Sequence, residues 1–210
     1  MLRRMTVVDV PTIVNIHKSS WSPDEISVKL GEPYLTMFYS SIAAATDAFT
    51  YLYEHEGKII GYATGFENYR RFNKRMRNSN LLHFVWIIAS RLLRGRLTTA
   101  DIRNMFNDSL RLRKLRFPDV HWGATALANE CKGTPLGREA LLRTVQAVFR
   151  DLELAGNAGC WGACDDKNTP MKKWLVRLGF KKVDTVQYIG RDIVVYEKIF
   201  DQDNRVYKST

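Results

Sequence analysis

A turn near the middle of the chain has the residue types and spacing of an anion-binding site. Residues 132–137 read KGTPLG, in which Thr134 suits the N-cap of a helix and Pro135 suits its first turn. Apolar residues then recur with the helical period from Leu141 to Leu152. Free backbone N–H groups at a helix N-terminus bind phosphates. The sequence therefore predicts a phosphate site at the start of a long helix, with an ordinary strand, turn and helix as the alternative.

The size and composition are those of a globular protein. The 210 residues are 45% hydrophobic and 26% charged, a length that one ordinary domain with a real core accounts for. The three cysteines form no metal-binding spacing with the four histidines, so no metal is expected and a reducing compartment is favoured. The N-terminus lacks the apolar stretch of a signal peptide, and no apolar run reaches the roughly 18 residues of a membrane span. These features predict a cytoplasmic protein.

The positive charge is concentrated in one segment. The chain carries a formal net charge of +10, and residues 70–116 contain 13 Lys or Arg against 2 Asp. Within this segment, residues 81–93 are nearly all apolar, which is typical of a buried helix, a helix at a membrane surface or a dimer contact. Phosphate binding, to a sugar nucleotide or an RNA, and a solvated basic lid are the alternatives. The aromatic residues lie in apolar runs rather than among the charges, which disfavours nucleic acid.

Hydrophobic periodicity and turn residues divide the chain into strands and helices. Strands are predicted at residues 2–8, 49–55, 59–66, 120–127, 159–164, 181–188 and 191–199. Helices are predicted at residues 9–17, at 23–45 with a break near 31–33, from Thr134 to the stop at Gly156, and at 169–178. This order indicates a mixed α/β layer with a segment added between the third and fourth strands.

Two motifs resemble those of the GCN5-related N-acetyltransferase (GNAT) superfamily. The acetyl-CoA loop of that family, Arg/Gln-x-x-Gly-x-Gly/Ala, aligns with residues 132–137. Its Asn-x-x-Ala-x-x-x-Tyr-x-x-x-Gly-Phe element aligns with residues 168–180, NTPMKKWLVRLGF. The resemblance covers residues 2–200. Two positions depart from the pattern: Pro135 replaces the first glycine of the loop, and Leu175 replaces the tyrosine that protonates the leaving thiolate.

The resemblance implies the acyl-CoA N-acyltransferase fold, an α/β protein with a mixed, twisted, mostly antiparallel central sheet flanked by helices. We expect residues 1–200 to form a single N-acetyltransferase domain that includes a basic helical insertion at 68–118. Residues 201–210 are expected to be a disordered tail. The two strands beside the cofactor should splay apart to admit acetyl-CoA.

The resemblance also implies acetyl-CoA as the cosubstrate and assigns residues to it. The pantetheine arm would pair with the backbone at Leu127 and Asn129. The pyrophosphate would lie on backbone N–H groups, with Lys132 adding charge and Asn168 contacting the cofactor or capping the following helix. The predicted N–H donors are those of Gly133, Thr134, Leu136, Gly137 and Arg138, and the Arg138 side chain also adds charge.

His121 is the predicted general base. It begins the central strand, eleven residues before Lys132, where relatives in the family place a catalytic Glu or His. An imidazole titrates near neutral pH and accepts an ammonium proton directly or through water. A strand-end histidine that faces solvent or packs on Trp122 is an equal alternative. Glu130 is the second candidate base, although a carboxylate near the phosphates more often orders a turn.

These assignments predict direct transfer of an acetyl group to a primary amine, with no acyl-enzyme. A weaker resemblance, in residues 30–35 and in the insertion, is to family members of bacterial surface polysaccharide synthesis, and so implies an amino sugar as the acceptor. A phosphate-bearing acceptor, or peripheral contact of residues 70–116 with the inner face of the membrane, would account for the basic charge. An RNA-bound or protein amine and a non-catalytic acyl-CoA-binding protein are the alternatives.

Overall fold

Seven strands form one sheet in the computed structural model, which describes residues 1–103, 105, 115–188 and 190–200. The strands are β1 (Leu2–Arg4), β2 (Ala48–His55), β3 (Lys58–Phe66), β4 (His121–Leu127), β5 (Gly159–Asp165), β6 (Lys181–Tyr188) and β7 (Arg191–Ile199). They lie in the order β1-β2-β3-β4-β5-β7-β6. Every neighbouring pair is antiparallel except β4 and β5, which are parallel.

Helices cover both faces of this sheet. They are α1 (Val10–Ser20), α2 (Ile26–Ala43), α3 (Tyr69–Ser79), α4 (Leu81–Leu93), α5 (Pro135–Leu154) and α6 (Thr169–Arg177), and residues 99–103 are also helical. On one face, α1 and α2 bury Leu52 and Tyr62 of the sheet. On the other face, α5 buries Phe49 and Ala63. The middle strands β2 and β3 are therefore enclosed between two apolar layers, which gives the cleft beside β4 a rigid support.

The first strand is shorter than the sequence predicted. β1 ends at Arg4, and Val7–Asp9 form a 3₁₀ turn instead of continuing the strand. The Asp9 carboxylate accepts hydrogen bonds from the Arg3 guanidinium and the Thr6 backbone N–H, both at 2.8 Å. The bond to Arg3 is the main reason that the pKa of Asp9 falls to about 2. Asp9 was predicted to cap α1 and is the residue before that helix, but its carboxylate makes no bond to the helix and closes the preceding turn instead.

The predicted break in the second helical region is a glycine kink in α2. Gly31 has φ +78° and ψ −169°, a conformation that is open essentially only to glycine. The Arg91 guanidinium of α4 lies against Gly31, and its Nε donates to the Leu30 carbonyl at 3.0 Å. Ile87 of α4 also packs on Leu30 in the apolar core. The contacts of Arg91 and Ile87 at this kink therefore hold α4 in place on α2.

The basic segment contributes α3 and α4 to the face that carries α2. Phe72 and Met76 are the buried residues of α3, and Phe84 and Ile87 are those of α4. α4 coincides with the apolar run identified at 81–93. No helix among the described residues is long and apolar enough to cross a membrane. Residues 106–114 of the segment and the predicted tail at 201–210 lie outside the described residues.

Candidate functional site

The parallel strands β4 and β5 touch at one end and separate toward the other. Their register contains one residue pair, His121 with Trp161, next to a bond from the Trp161 N–H to the Val120 carbonyl at 3.0 Å. Beyond that pair, β4 follows β3 as far as Leu127, and β5 follows β7 as far as Asp165. The two strands therefore diverge toward their carboxyl ends, as the resemblance implied, and form a cleft that opens toward the turn after β4.

A β-bulge lies in β4 where the divergence begins. Thr125 pairs with Ala63 and Trp122 pairs with Gly65, so three steps of β4 oppose two steps of β3. The extra residue bends the strand and increases its twist. A side chain on Gly123 would lie 2.7 Å from the Phe66 ring, so only glycine fits at this position of the bulge. The bulge is what turns the end of β4 away from β5.

Past the bulge, β4 directs backbone groups into the cleft. The Ala128 N–H donates to the Ile60 carbonyl of β3 at 2.9 Å. Because alternate residues of a strand point their backbone groups to opposite edges, those of Thr125 and Leu127 point toward β5. The Leu127 carbonyl accepts from the Ser20 hydroxyl of α1 at 2.6 Å. Leu127 thus presents its backbone where the resemblance placed the cofactor, with Ser20 bound to its carbonyl.

The turn after β4 is built around Gly133 and Thr134. Gly133 has φ +77°, a left-handed conformation that suits glycine, and a side chain there would meet open space. Thr134 is the N-cap of α5, and its Oγ1 accepts from the Gly137 N–H at 3.0 Å. The same hydroxyl donates to the Cys131 carbonyl at 2.8 Å. The helix start that Thr134 and Pro135 predicted is therefore confirmed.

Hydrogen bonds within the turn occupy some of the N–H groups that were predicted to bind phosphate. Three of its five N–H groups have partners within the turn: Thr134 bonds to the Cys131 carbonyl at 3.3 Å, Gly137 to Thr134 Oγ1, and Arg138 to the Thr134 carbonyl at 3.1 Å. The N–H groups of Gly133 and Leu136 make no hydrogen bond within the described part of the chain. The prediction of five free donors was therefore too high, because the capping hydroxyl takes one N–H group and backbone carbonyls of the turn take two more.

Gly137 is required by close packing. A Cβ at this position would lie 2.0 Å from the Cys131 carbonyl oxygen and 3.0 Å from the Leu127 side chain. The first turn of α5 therefore lies directly on the turn that precedes it. The absence of a side chain at Gly137 allows the helix N-terminus to approach the end of β4.

The remaining predicted ligands are exposed around this turn. Lys132, Arg138 and Asn129 are exposed, and Asn129 begins a short 3₁₀ turn. Asn168 is exposed and caps α6, because its Oδ1 accepts from the Met171 N–H at 3.1 Å. The cap is thus the role that the structure shows for Asn168. No group of three His, Cys, Asp or Glu residues is placed to hold a metal ion in the described ranges.

The two predicted bases lie at opposite ends of β4. His121 is its first residue, whereas Glu130 follows its last residue and is exposed beside α1 and Lys58. At about 3.3 Å per residue, the strand separates them by about 20 Å or more. The sequence offered both as bases for one reaction, but the structure does not bring them together. Of the two, His121 lies at the point where β4 and β5 meet.

His121 lies in an aromatic sandwich. Its ring stacks on Trp161 at a centroid distance of 3.9 Å and on Phe66 at 5.7 Å, and Tyr69 meets its edge at 4.5 Å. Its Nδ1 is buried and has no hydrogen-bond partner among the described residues, although part of the side chain reaches solvent. Burial lowers the pKa of His121 to about 3, because the apolar rings disfavour the charged form. The imidazole is therefore neutral at physiological pH.

The residue at the family's tyrosine position belongs to the core. Leu175 is 1% exposed and cannot donate a proton. Two other polar atoms are buried near the bulge without a partner in the described ranges, namely Thr125 Oγ1 and Trp122 Nε1. Both side chains are at least nine-tenths buried. Trp122 packs on Phe149 and Phe180 in the layer under α5, and sequence reasoning missed both unpaired atoms because their burial depends on residues distant in sequence.

An ion-pair cluster closes the α2 side of the cleft. Arg191, at the start of β7, bonds to Asp165 at the end of β5 at 3.3 Å and also pairs with Glu25 before α2. All three side chains are less than one-third exposed. The cluster joins the start of β7 to the residue before α2, beside the carboxyl end of β5. Sequence reasoning missed it because Glu25 and Arg191 are separated by 166 positions.

A buried polar network lies on the same side of the cleft as α2. His17 Nδ1 lies 2.8 Å from Tyr39 Oη and 3.0 Å from Tyr62 Oη, and its Nε2 lies 3.0 Å from Ser27 Oγ. Burial lowers the pKa of His17 to about 4. Tyr62 is the register partner of Ala126 in β4. The network thus ties α1 and α2 to β3, the strand that pairs with β4.

Comparison with known proteins identifies the fold. No protein-family model matches the sequence, and no curated protein matches it. Solved structures do match it. The PaiA N-acetyltransferase of Thermoplasma acidophilum, solved with coenzyme A, is 14% identical with a TM-score of 0.55 over 95% of this chain and 98% of that one. A ribosomal-protein-alanine N-acetyltransferase of Brucella melitensis is 13% identical with a TM-score of 0.59 over 95% and 99%.

A third structure shows how widely this fold is used. The C-terminal condensation domain of Ebony, in complex with beta-alanyl-dopamine, is 11% identical with a TM-score of 0.58 over 95% of this chain and 98% of that one. At these identities the likeness establishes the architecture. The chain has the acyl-CoA N-acyltransferase fold of GNAT proteins, which confirms the predicted mixed, mostly antiparallel sheet flanked by helices.

Proposed function

We propose that this protein is an acetyl-CoA-dependent N-acetyltransferase that transfers the acetyl group directly to a primary amine. The observation that carries the proposal is the pair β4 and β5, which separates after His121 and Trp161 and opens toward the turn at Gly133. Two of the fold's neighbours are named as N-acetyltransferases, and one of them was solved with coenzyme A. Fold alone does not define chemistry, so the residues of the cleft carry the rest of the argument.

The cofactor would extend along β4 with its diphosphate at the start of α5. The amides of its pantetheine arm would pair with backbone groups of Thr125 and Leu127, which point into the cleft. The diphosphate would take the N–H groups of Gly133 and Leu136, at the positive end of the helix dipole. The exposed side chains of Lys132 and Arg138 would then supply charge from the rim. The Thr134 cap would hold the other N–H groups of the turn in their internal hydrogen bonds.

In this proposal His121 accepts a proton late in the reaction. Because its pKa is about 3, it is too weak a base to deprotonate a free ammonium group. The acceptor therefore binds as a neutral amine, and its nitrogen attacks the thioester carbonyl carbon. The nitrogen becomes acidic as that bond forms and gives its proton to His121 while the C–S bond breaks, and His121 then returns that proton through solvent to the thiolate. Nδ1 is sealed, so Nε2 is the nitrogen open to the acceptor.

The acceptor class that we propose is an amino sugar of bacterial surface polysaccharide synthesis, carried on a phosphate. The support is the cation excess of residues 70–116, part of which lies on α3 next to α2. A protein amine is the second candidate, because one neighbour is named as a ribosomal-protein-alanine N-acetyltransferase. An RNA-bound amine and a non-catalytic acyl-CoA-binding protein complete the set. The proposed membrane contact of residues 70–116 depends on another surface, the outward side of α4.

Two variants of Gly133 test the cofactor site. Asn and Asp both tolerate a left-handed backbone, and a side chain at 133 meets open space, so both proteins should fold. They have the same shape and differ only in charge. Gly133→Asp should raise the Kd for coenzyme A by about tenfold or more relative to Gly133→Asn, measured by calorimetry, because its carboxylate repels the diphosphate. Equal affinities would place the diphosphate elsewhere and reject the assignment.

The activity itself is tested by release of free thiol from acetyl-CoA. The amine panel contains an amino sugar, its nucleotide-linked form, a peptide with an N-terminal alanine and an aminoacylated RNA. Turnover on the nucleotide-linked sugar above the free sugar supports the phosphate-bearing acceptor, whereas preference for the peptide or the RNA selects that alternative. Tight binding of coenzyme A without turnover on any amine supports the non-catalytic alternative.

A further inference from the structure

The outward face of α4 is apolar and exposed. This face, which we define as Leu81, Leu82, Val85, Trp86, Ala89 and Leu93, is exposed along the whole length of the helix. Leu82 is 86% exposed, Trp86 57% and Leu93 89%. At 3.6 residues per turn these six positions occupy an arc of about 140°. Scattered exposed apolar residues are ordinary, but a continuous stripe on one helix marks an interaction surface.

The opposite side of α4 is already fully used. Phe84 and Ile87 are buried against α2, and Arg91 bonds to the Leu30 carbonyl. The orientation of the helix is therefore fixed, and rotation cannot hide the outward face. With 13 residues, α4 is too short to cross a bilayer and can only lie along one.

The surroundings of this face are strongly basic. Between residues 69 and 97 the sequence contains eight Lys or Arg and no Asp or Glu. Of these, Arg75 pairs with Asp47 and Arg91 is bound to α2. Five make no ion pair with a carboxylate in the described part of the chain: Arg71, Lys74, Arg77, Arg94 and Arg96. All five are exposed, and they lie on α3 and just after the end of α4.

We propose that the outward face of α4 docks on the surface of an anionic lipid bilayer, with the helix parallel to the membrane. The apolar stripe enters the boundary of the acyl chains, and the flanking arginines and lysine bind lipid phosphates. Trp86 suits the interfacial position, where tryptophan is enriched. Charge favours an anionic membrane over a second copy of the chain as the partner of this face. Two copies facing each other would bring two sets of unpaired cations together, whereas an anionic membrane neutralises them.

Docking would also orient the proposed cleft. α4 is fixed to α2 at Gly31, and α2 begins beside Glu25, which pairs with Arg191 at the open end of β5. A bilayer at α4 would therefore lie on the same side of the cleft as α2. The inference does not depend on acetyl transfer, because the binding measurements need neither acetyl-CoA nor an amine.

The test is co-sedimentation of the full chain with vesicles. Vesicles of phosphatidylglycerol and phosphatidylcholine should bind the protein, vesicles of phosphatidylcholine alone should bind it much less, and added salt should weaken the binding. Leu82→Ser with Leu93→Ser should lower partitioning by about tenfold or more, because two exposed leucines no longer enter the lipid. The matched control is Leu154→Ser with Val176→Ser, at apolar side chains that are 72% and 62% exposed on α5 and α6. The control should bind as the wild type does.

Depth of insertion gives an independent readout. Brominated acyl chains should quench part of the fluorescence of the five tryptophans, and that part should disappear in Trp86→Phe. Absence of wild-type binding to the anionic vesicles overturns the proposal, and so does a Leu82/Leu93 double variant that binds as well as its control. A wild-type dimer that light scattering detects and that the same double variant abolishes would assign the face to a second copy, which also overturns it. Gly133→Asp should bind vesicles normally, so failure of the cofactor site is distinguishable from failure of docking.

Discussion

Mild acid should destabilise this protein through His17 and His121, whose imidazoles the fold holds in the neutral form. Burial lowers the pKa of His17 to about 4 and that of His121 to about 3, from an ordinary value near 6.5. Between those values the unfolded chain binds more protons than the folded protein does. The contribution of each histidine to stability is therefore complete above about pH 6.5 and is lost as the pH falls toward the folded-state pKa.

The expected size of the effect is large. Once the unfolded imidazole is protonated, each further pH unit costs about 1.4 kcal/mol per histidine, so each loses about 2 kcal/mol between about pH 6.5 and 4.5. Together they lose about 4 kcal/mol, a substantial part of a typical free energy of unfolding of about 5–15 kcal/mol. Asp9 adds little in this window, because its lowered pKa of about 2 places its loss mainly below about pH 4.

Urea unfolding at a series of pH values measures this dependence, and His121→Phe separates the two histidines. Phenylalanine keeps the ring between Phe66 and Trp161 and removes the titrating nitrogens, so the variant should lose about 2 kcal/mol instead of about 4 over the window. His55→Phe, at an exposed position, is the matched control and should follow the wild type. Circular dichroism is the suitable signal, because Trp161 stacks on His121. A His121→Phe protein that loses stability as steeply as the wild type would refute the reasoning.

Two further predictions concern the cleft. Gly137→Ala should lower the free energy of unfolding by about 2–3 kcal/mol, because its Cβ would lie 2.0 Å from the Cys131 carbonyl oxygen and one of the two turns must move. Gly133→Ala, in open space, should cost only about 1 kcal/mol for its left-handed backbone, and a similar cost at both positions in urea titrations would contradict this packing. His121→Phe should lower kcat/KM for the acceptor by about a hundredfold with unchanged affinity for coenzyme A, while the alkaline rise of the rate persists because it reports the acceptor amine. Turnover near the wild-type level would show that Glu130 or water, and not His121, accepts the proton.

Local chemistry made much of the fold predictable. Thr134 and Pro135 marked the start of α5 because a capping hydroxyl and a fixed φ act within one turn. Gly31 marked the kink in α2 for the same reason, since its backbone conformation excludes side chains. These signals depend on neighbours in sequence, which a single chain displays directly. β1 was predicted too long because the competing contact came from Arg3 and Asp9.

The parts of the site that could not be predicted depend on distant residues. The β4 bulge exists only relative to the register of β3, which no single segment encodes. The burial of His121 comes from Phe66 and Trp161, which belong to other strands. The sequence placed His121 at the start of the central strand, where it lies, but gave no sign that its ring would be desolvated. Chemical type was visible in the sequence, whereas electrostatic environment was not.

The contact between Gly31 and Arg91 has an evolutionary consequence. A Cβ at residue 31 would lie 2.2 Å from the Arg91 guanidinium, and the backbone at Gly31 already excludes other residues. The glycine is therefore held by its backbone conformation, and the arginine by its bond to the Leu30 carbonyl next to that glycine. Among descendants of this sequence that retain α4, the glycine and the arginine should be inherited together. In lineages that have lost α4, the kink no longer has Arg91 to bind, and an unkinked second helix with an ordinary residue at this position should become common.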